Sequence, residues 1–281
     1  SRYYVAGRTS GQGMVLSRQV ADVLSGYFRK NIRAGMDSPS LFFDEYRSAV
    51  YEEAARYKGR YHVRRIKKYG SPVSGDNFSV KEYEDGRLVM MLSDGMGSGS
   101  LASCESCMML DTMEELLELL EAGFAPEYSI AFANRCMSRR NKGRIFTTFD
   151  MVVIDMYDGT MRSFKQGASV TYVIRPGDDG NEVRQITSTT LPVGVLDDAE
   201  CDMADVKLAA GDAVVMVSDG LSDMDVSDHM QDVLKGIRVG DSRRMVDDIL
   251  GAMIGQGDVS LRDDVTVMAA VISGSEKSSA A

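Results

Sequence analysis

"LVMMLSDGMGSG" (Leu88–Gly99) and "AVVMVSDGLSD" (Ala213–Asp223) decide how this sequence is read. Each is an apolar run that ends in Ser-Asp-Gly. Runs of this length without polar interruption predict strands buried on both faces. An aspartate at the end of such a strand is a poor strand residue and costs free energy to desolvate unless it is paired or liganded. Two further aspartates stand at predicted strand ends, Asp76 in "SGDNFS" and Asp263 in "LRDDVTV". Taken singly, each is accounted for as a turn residue. Four together, two of them behind near-identical strands, point instead to a cluster of hard oxygen ligands. Carboxylates without histidine or thiolate partners suit Mg²⁺ or Mn²⁺ rather than zinc. The glycine behind each Ser-Asp is expected to let the backbone bend sharply, so that a carbonyl also faces the ion. Two ions about 4 Å apart activate a shared water and clamp both ends of an in-line displacement at phosphorus.

The surroundings read as α+β. From Asn77 onward, period-two alternation and β-branched residues predict strands at 77–84, 87–93, 151–157, 160–166, 170–175, 183–187, 206–208, 213–218 and 265–272. "DGR" (85–87) and "DGT" (158–160) are expected to be hairpin turns. Helices are expected at 98–122, 126–140, 227–235 and 241–255. Strands in hairpin-linked runs and helices in separate blocks favour antiparallel sheets over an alternating parallel fold. Upstream, Leu16, Val20, Val23, Leu24, Tyr27 and Phe28 recur at helical spacing within 14–33, and a second helix is expected at 41–57. The expected organisation is therefore an N-terminal helical segment (1–57), a catalytic domain (58–273) and a disordered tail (274–281). "KGRYHVRRIKK" (58–68) reads as a strand or strand entry whose basic face is either solvated or a docking surface for an acidic or phosphorylated partner.

Composition excludes several classes. A formal charge of −10 over 281 residues argues against a nucleic-acid partner. No apolar stretch approaches the roughly 20 residues of a membrane helix, and the N-terminus has no signal-peptide core. The first residue is Ser1 rather than methionine, so the sequence reads as an excerpt, cytoplasmic in itself, whose membrane anchor, if there is one, lies elsewhere. The four cysteines do not form a disulfide framework. Cys104 and Cys107 make one C-x-x-C, but a zinc site needs about four converging ligands and the chain has only two histidines. A thiol phosphatase carries arginine six positions after its cysteine; here those positions are Leu110, Met113, Lys142 and Lys207.

"VSGDNFS", "LSDGMGSG", "TTFDMVVID", "LPVGV", "SDGLSD" and "DDVTV" occur in this order, and together they resemble the metal-dependent protein serine/threonine phosphatases of the 2C class. "DGMGSG" and the "YHV…VSGD" lead-in point to the sporulation stage II protein E branch. The resemblance covers about residues 61–272. It implies a two-sheet antiparallel β-sandwich flanked by helices, with two Mn²⁺ or Mg²⁺ ions at one edge. By position, Asp94 is similar to the bridging ligand, with the Gly95 carbonyl beside it, and Asp76, Asp219 and Asp263 to the other ligands. Asp94 and Asp219 are the residues implied to carry catalysis. Asp263 is preferred to Asp264 because it opens "DDVT". Asp223 matches a ligand of a weaker third ion in some relatives. The resemblance further implies a phosphorylated anti-anti-sigma factor as substrate, activation of a sporulation sigma factor by partner switching, and a homodimer through residues 14–33. Departures are the missing arginine before the first acidic motif, where only Arg65, Lys67 and Lys68 stand, and Val170 in place of proline. The alternative is an inactive phosphoprotein-binding scaffold of the same fold, which the retention of all four carboxylates disfavours.

Overall fold

The computed structural model describes residues 1–11, 13–97, 99–118, 125–141, 146–221, 227–254, 261 and 263–275. These residues fall into two units: Ser1–Lys58 with Met156–Asp158 and the C-terminal residues from Ser275, and Gly59–Asp155 with Gly159–Gly274.

The first unit contains β1 (Arg2–Gly7), β2 (Val15–Leu16), α1 (Ser17–Phe28), β3 (Ile32–Ala34), β4 (Leu41–Phe42) and β5 (Arg47–Glu53). β5 is the middle strand of β1-β5-β3, and β2 pairs with β4. The helix expected at 41–57 is therefore wrong. Ala49 and Tyr51 alternate inward along β5 and join Ala21, Ile32 and Phe42 in a core, which is period two rather than 3.6. The helix expected over 14–33 is also shorter. Arg29 adopts a left-handed φ of 55°, which ends α1, and Ile32–Ala34 then pairs with Tyr51–Glu53. The N-terminal segment is mixed α/β, not helical. On α1 the face carrying Val20 and Leu24 packs on this core, whereas Val23 and Tyr27 are 70% and 81% exposed.

The second unit begins within β6 (Tyr57–Ile66) and continues through β7 (Asp76–Glu82), β8 (Arg87–Asp94), α2 (Ser100–Glu118) and α3 (Pro126–Asn141). It goes on through β9 (Phe149–Asp155), β10 (Thr160–Gln166), β11 (Thr171–Arg175), β12 (Glu182–Ile186), β13 (Asp202–Lys207) and β14 (Ala213–Val217). α4 (Ser227–Gly236), α5 (Ser242–Ile254) and β15 (Val265–Gly274) complete it. Two five-stranded sheets result, β13-β10-β9-β8-β7 and β12-β11-β14-β15-β6. This is the expected α+β sandwich.

Burial accounts for the two apolar runs. Leu88–Leu92 and Ala213–Val217 are buried at every position, because β8 and β14 lie inside their sheets with a helical layer on one side. Val89 and Met91 pack with Met109, Met113 and Leu117 of α2 and Ile130 of α3. Val215 and Val217 pack with Met230 and Leu234 of α4 and Val246 and Ile249 of α5. Each such side chain contributes roughly 1.5–3 kcal/mol on burial. Gly86 and Gly159, at φ 81° and 79°, make the two expected hairpin turns. Val170 packs against the α4–α5 core. Gly274 belongs to β15, and Ser275 donates its N–H to the Arg56 carbonyl, so the expected disordered tail does not begin at 274. Residues 276–281 lie outside the described residues. Among the described residues no helix is long and apolar enough to cross a membrane.

Candidate metal centre

β7 starts where β8 ends. Their antiparallel register sets Asp76 directly opposite Asp94. Like charges facing each other across a ladder repel, and these two are also withdrawn from water. Asp76 is fully buried. Its Oδ2 accepts a hydrogen bond from Thr266 Oγ1 (2.6 Å) in the opposite sheet, while Oδ1 is buried without a partner. Burial raises the Asp76 carboxyl, with the Thr266 hydroxyl opposing the shift. Burial and the neighbouring Asp76 and Asp219 carboxylates push Asp94 up to about 10. Without a cation, Asp94 retains its proton at neutral pH.

The second Ser-Asp-Gly brings Asp219 to the same place from the other sheet. Ser218 continues the β14–β15 pairing by donating its N–H to the Thr266 carbonyl (3.0 Å), and Asp219 opens a short 3-10 turn, Asp219–Leu221. The glycines serve a different purpose from the one expected. Gly95 and Gly220 are not among the positive-φ residues. Each is approached by a backbone carbonyl: a Cβ on Gly95 would lie 2.0 Å from the Ala102 oxygen, and one on Gly220 would lie 2.1 Å from the Asp264 oxygen. Close approach, not a left-handed backbone, requires glycine after each aspartate.

Asp263 and Asp264 have separate surroundings. Asp264 is buried; its Oδ1 accepts the Lys68 N–H (2.8 Å) and its Oδ2 the Gly75 N–H (2.7 Å), which braces the loop leading into Asp76. Asp263 is half-buried and lines a cavity of about 220 Å³ with Asp94, Gly95, Thr148 and Asp219. Among the described residues, none that lines that cavity is arginine or lysine. Arg65 is committed elsewhere, donating to the Asp76 carbonyl (2.6 Å), and Lys67 donates to the Pro72 carbonyl. Asp223 lies outside the described residues.

An orphaned carboxylate oxygen and a cavity whose described lining is acidic and carries no arginine or lysine fit a hard divalent ion. Among the described residues no three acidic, histidine or cysteine side chains close into a complete ligand shell. A shell completed by water agrees with that spacing, since Mg²⁺ characteristically keeps several waters and takes one or two carboxylates.

Residues 84–273 match the family described as Stage II sporulation protein E (SpoIIE). The chain belongs to the SpoIIE family. It is 26% identical over 254 residues to Stage II sporulation protein E of Bacillus subtilis (strain 168), covering 89% of this chain and 30% of that protein. The chain thus spans about a third of the length of the curated relatives it matches. Its fold is similar to a structure of the PP2C phosphatase domain with a fragment of the regulatory domain of SpoIIE from Bacillus subtilis. That likeness has a TM-score of 0.73 at 24% identity and covers 98% of this chain and 79% of that one. It is also similar to RsbX solved in complex with magnesium, with a TM-score of 0.61 at 21% identity, covering 79% and 98%.

In this SpoIIE-family chain the motif "TTFD" holds residues whose roles are not apparent from the sequence. Thr147 and Thr148 clamp Asp94: the Thr147 hydroxyl and the Thr148 N–H both donate to the Asp94 carbonyl (2.8 Å each), and Asp94 N–H donates to Thr148 Oγ1 (3.0 Å). Asp150, two residues on, pairs with Leu92 and so shares the face of Asp94. Its Oδ2 receives the ammonium of Lys165 (2.5 Å) from β10 and the Thr171 hydroxyl (2.6 Å) from the other sheet. Burial holds the Lys165 amine below its ordinary value, with Asp150 opposing. α2 is tied to the site as well: Asn77 Nδ2 donates to the Ser103 carbonyl (3.0 Å) and to Ser106 Oγ (2.9 Å).

Proposed function

We propose that this chain is the catalytic portion of a Mn²⁺- or Mg²⁺-dependent phosphoserine/phosphothreonine protein phosphatase. The observation that carries this reading is the Asp76–Asp94 pair, with Asp219 and Asp263 beside the same cavity and, among the described residues, no arginine or lysine lining it. A phosphate group carries negative charge into that cavity, so it needs cations held between it and the carboxylates. Asp76, Asp94, Asp219 and Asp263 would hold two such ions, and the Gly95 backbone lies within reach of the cavity. When bound, the ions supply Lewis-acid polarisation, activation of water and neutralisation of the charge that develops on phosphorus during in-line attack.

The chain's own residues set the geometry for this chemistry. Thr147 and Thr148 fix the backbone of Asp94, and Thr266 fixes the carboxylate of Asp76. Asp264 holds the loop before Asp76, which keeps that ligand from swinging out of the sheet edge. The cavity of about 220 Å³ is large enough for a phosphorylated side-chain end and too small for a folded segment. Protein recognition would therefore fall on the surface around it.

The substrate we propose is a phosphorylated anti-anti-sigma factor, whose release activates a sporulation sigma factor; the family and its name support this. Self-association through 14–33 is supported by the exposure of Val23 and Tyr27 on α1. The test is a Mn²⁺ titration of phosphate release from a phosphoserine protein, with Asp219→Ala as control. Release that depends on Mn²⁺ and is lost in the variant supports the reading. Equal release in excess chelator, or in the variant, refutes it.

A further inference from the structure

Lys165 and Asp150 face each other directly across β10 and β9, and both are buried. With Thr171 they close a three-membered ring: the ammonium donates to Asp150 Oδ2 (2.5 Å) and to Thr171 Oγ1 (2.8 Å), and that hydroxyl donates to the same Asp150 oxygen (2.6 Å). Both contacts that the ring makes to Asp150 fall on Oδ2. Asp150 Oδ1 is buried and has no hydrogen-bond partner. The same residue lines a small void of about 10 Å³ together with Asp94, Thr148, Ser218 and Asp219, with Leu92, Ala168 and Val217 as its apolar walls. A void of that size with several polar groups in its wall holds about one water. Because Oδ2 is saturated by Lys165 and Thr171, the oxygen left to serve the void is Oδ1.

A buried ion pair is a weak source of stability, since an apolar replacement of both partners is often as good. Its location is more informative than its existence. Asp94 comes from the first sheet and Asp219 from just beyond β14 of the second, and Asp150 stands where the walls of the void bring them together. Lys165 cancels the charge of Asp150, so a third acceptor is placed beside the two carboxylates without adding to their repulsion.

We propose that the Asp150–Lys165 pair is a positioning element of the metal centre, holding one water between Asp150, Asp94 and Asp219 so that carboxylates from the two sheets keep ligand geometry. This rests on the metal-dependent reading above. Outer partners of this kind change metal affinity by about 10–100-fold when they are removed.

The experiment measures Mn²⁺ binding by titration calorimetry to the chain and to Asp150→Asn, Asp150→Asn/Lys165→Met and Asp219→Ala. The urea midpoint of each metal-free protein is recorded alongside. The double variant removes both charges and so avoids an unpaired buried ammonium if the single variant does not fold. Binding at least ten-fold weaker in the folded Asp150 variants supports the inference. A purely structural pair would lower the urea midpoint and leave Mn²⁺ affinity unchanged. Wild-type affinity in either folded Asp150 variant, with affinity lost in Asp219→Ala, overturns this inference alone. Absence of Mn²⁺ binding by the parent chain overturns both it and the metal-dependent reading.

Discussion

Replacing Asp94 by asparagine should stabilise the metal-free protein. Asp94 is held at about 10 by burial and by Asp76 and Asp219, against an ordinary value of 3.8. Below that ordinary value the carboxyl is protonated whether the chain is folded or not, and it costs nothing. As pH rises toward 10 the unfolded chain gives up the proton while the folded one keeps it. The unfolded state therefore gains about 1.4 kcal/mol for each pH unit in that window. From the ordinary value to pH 7 is a little over three units, so the metal-free native state forgoes at most about 4 kcal/mol. An asparagine never ionises and removes this loss. The expected difference between Asp94→Asn and the parent is close to zero at pH 4 and up to about 4 kcal/mol in favour of the variant at pH 7. Urea unfolding in chelator, followed by circular dichroism from pH 4 to 8, measures it. Saturating Mn²⁺ should stabilise the parent and not the variant, by about 2.7 kcal/mol at a hundred times the dissociation constant. A variant no more stable than its parent at pH 7, or a difference that does not grow with pH, refutes the reasoning.

Gly95→Ala and Gly220→Ala should each cost at least about 3 kcal/mol, because the new methyl meets a backbone carbonyl rather than a flexible side chain. Gly251→Ala in α5, where nothing lies within 4 Å, should raise stability by about 0.5–1 kcal/mol, and the same denaturation curves compare all three. Asp264→Asn can keep only one of its two N–H partners and should lose about 1–3 kcal/mol of stability, whereas Asp263→Asn should stay within about 0.5 kcal/mol of the parent and raise the Mn²⁺ needed for half-maximal activity. Equal stability losses in the two would contradict their assigned roles. Val23→Asp with Tyr27→Asp on α1 should convert a dimer to a monomer in sedimentation velocity, and a parent that is itself monomeric at tens of micromolar would dismiss that interface.

The sandwich was legible because β8 and β14 are buried on both faces, so their residues are apolar without interruption and the change at Ser-Asp-Gly is abrupt. Asp76, Asp94 and Asp219 could be read as a set for the same reason: each breaks a strand pattern at its end. The first unit was less legible. β5 carries arginine, serine and glutamate among its apolar residues, and the alternation of Ala49 and Tyr51 is too short to outweigh a helical reading. The role of the glycines was misread because a close carbonyl depends on Ala102 and Asp264, which lie 7 and 44 positions away from Gly95 and Gly220. Lys165 gives almost no signal in the sequence. A lysine in a strand is ordinarily solvent-facing, and only the register with Asp150 and the arrival of Thr171 from the other sheet place it inside.

The hydrogen bond from Thr266 to Asp76 closes a loop of 190 residues. Whatever emerges first from a ribosome, the carboxylate cluster is not assembled until β15 has been made and inserted between β14 and β6. Until the last strand is in place, Asp76 Oδ2 lacks the hydroxyl that fixes its carboxylate. A chain truncated before Val265 would thus be left with its first sheet and without a working centre. Under the proposed function, a prematurely terminated copy would therefore be inactive.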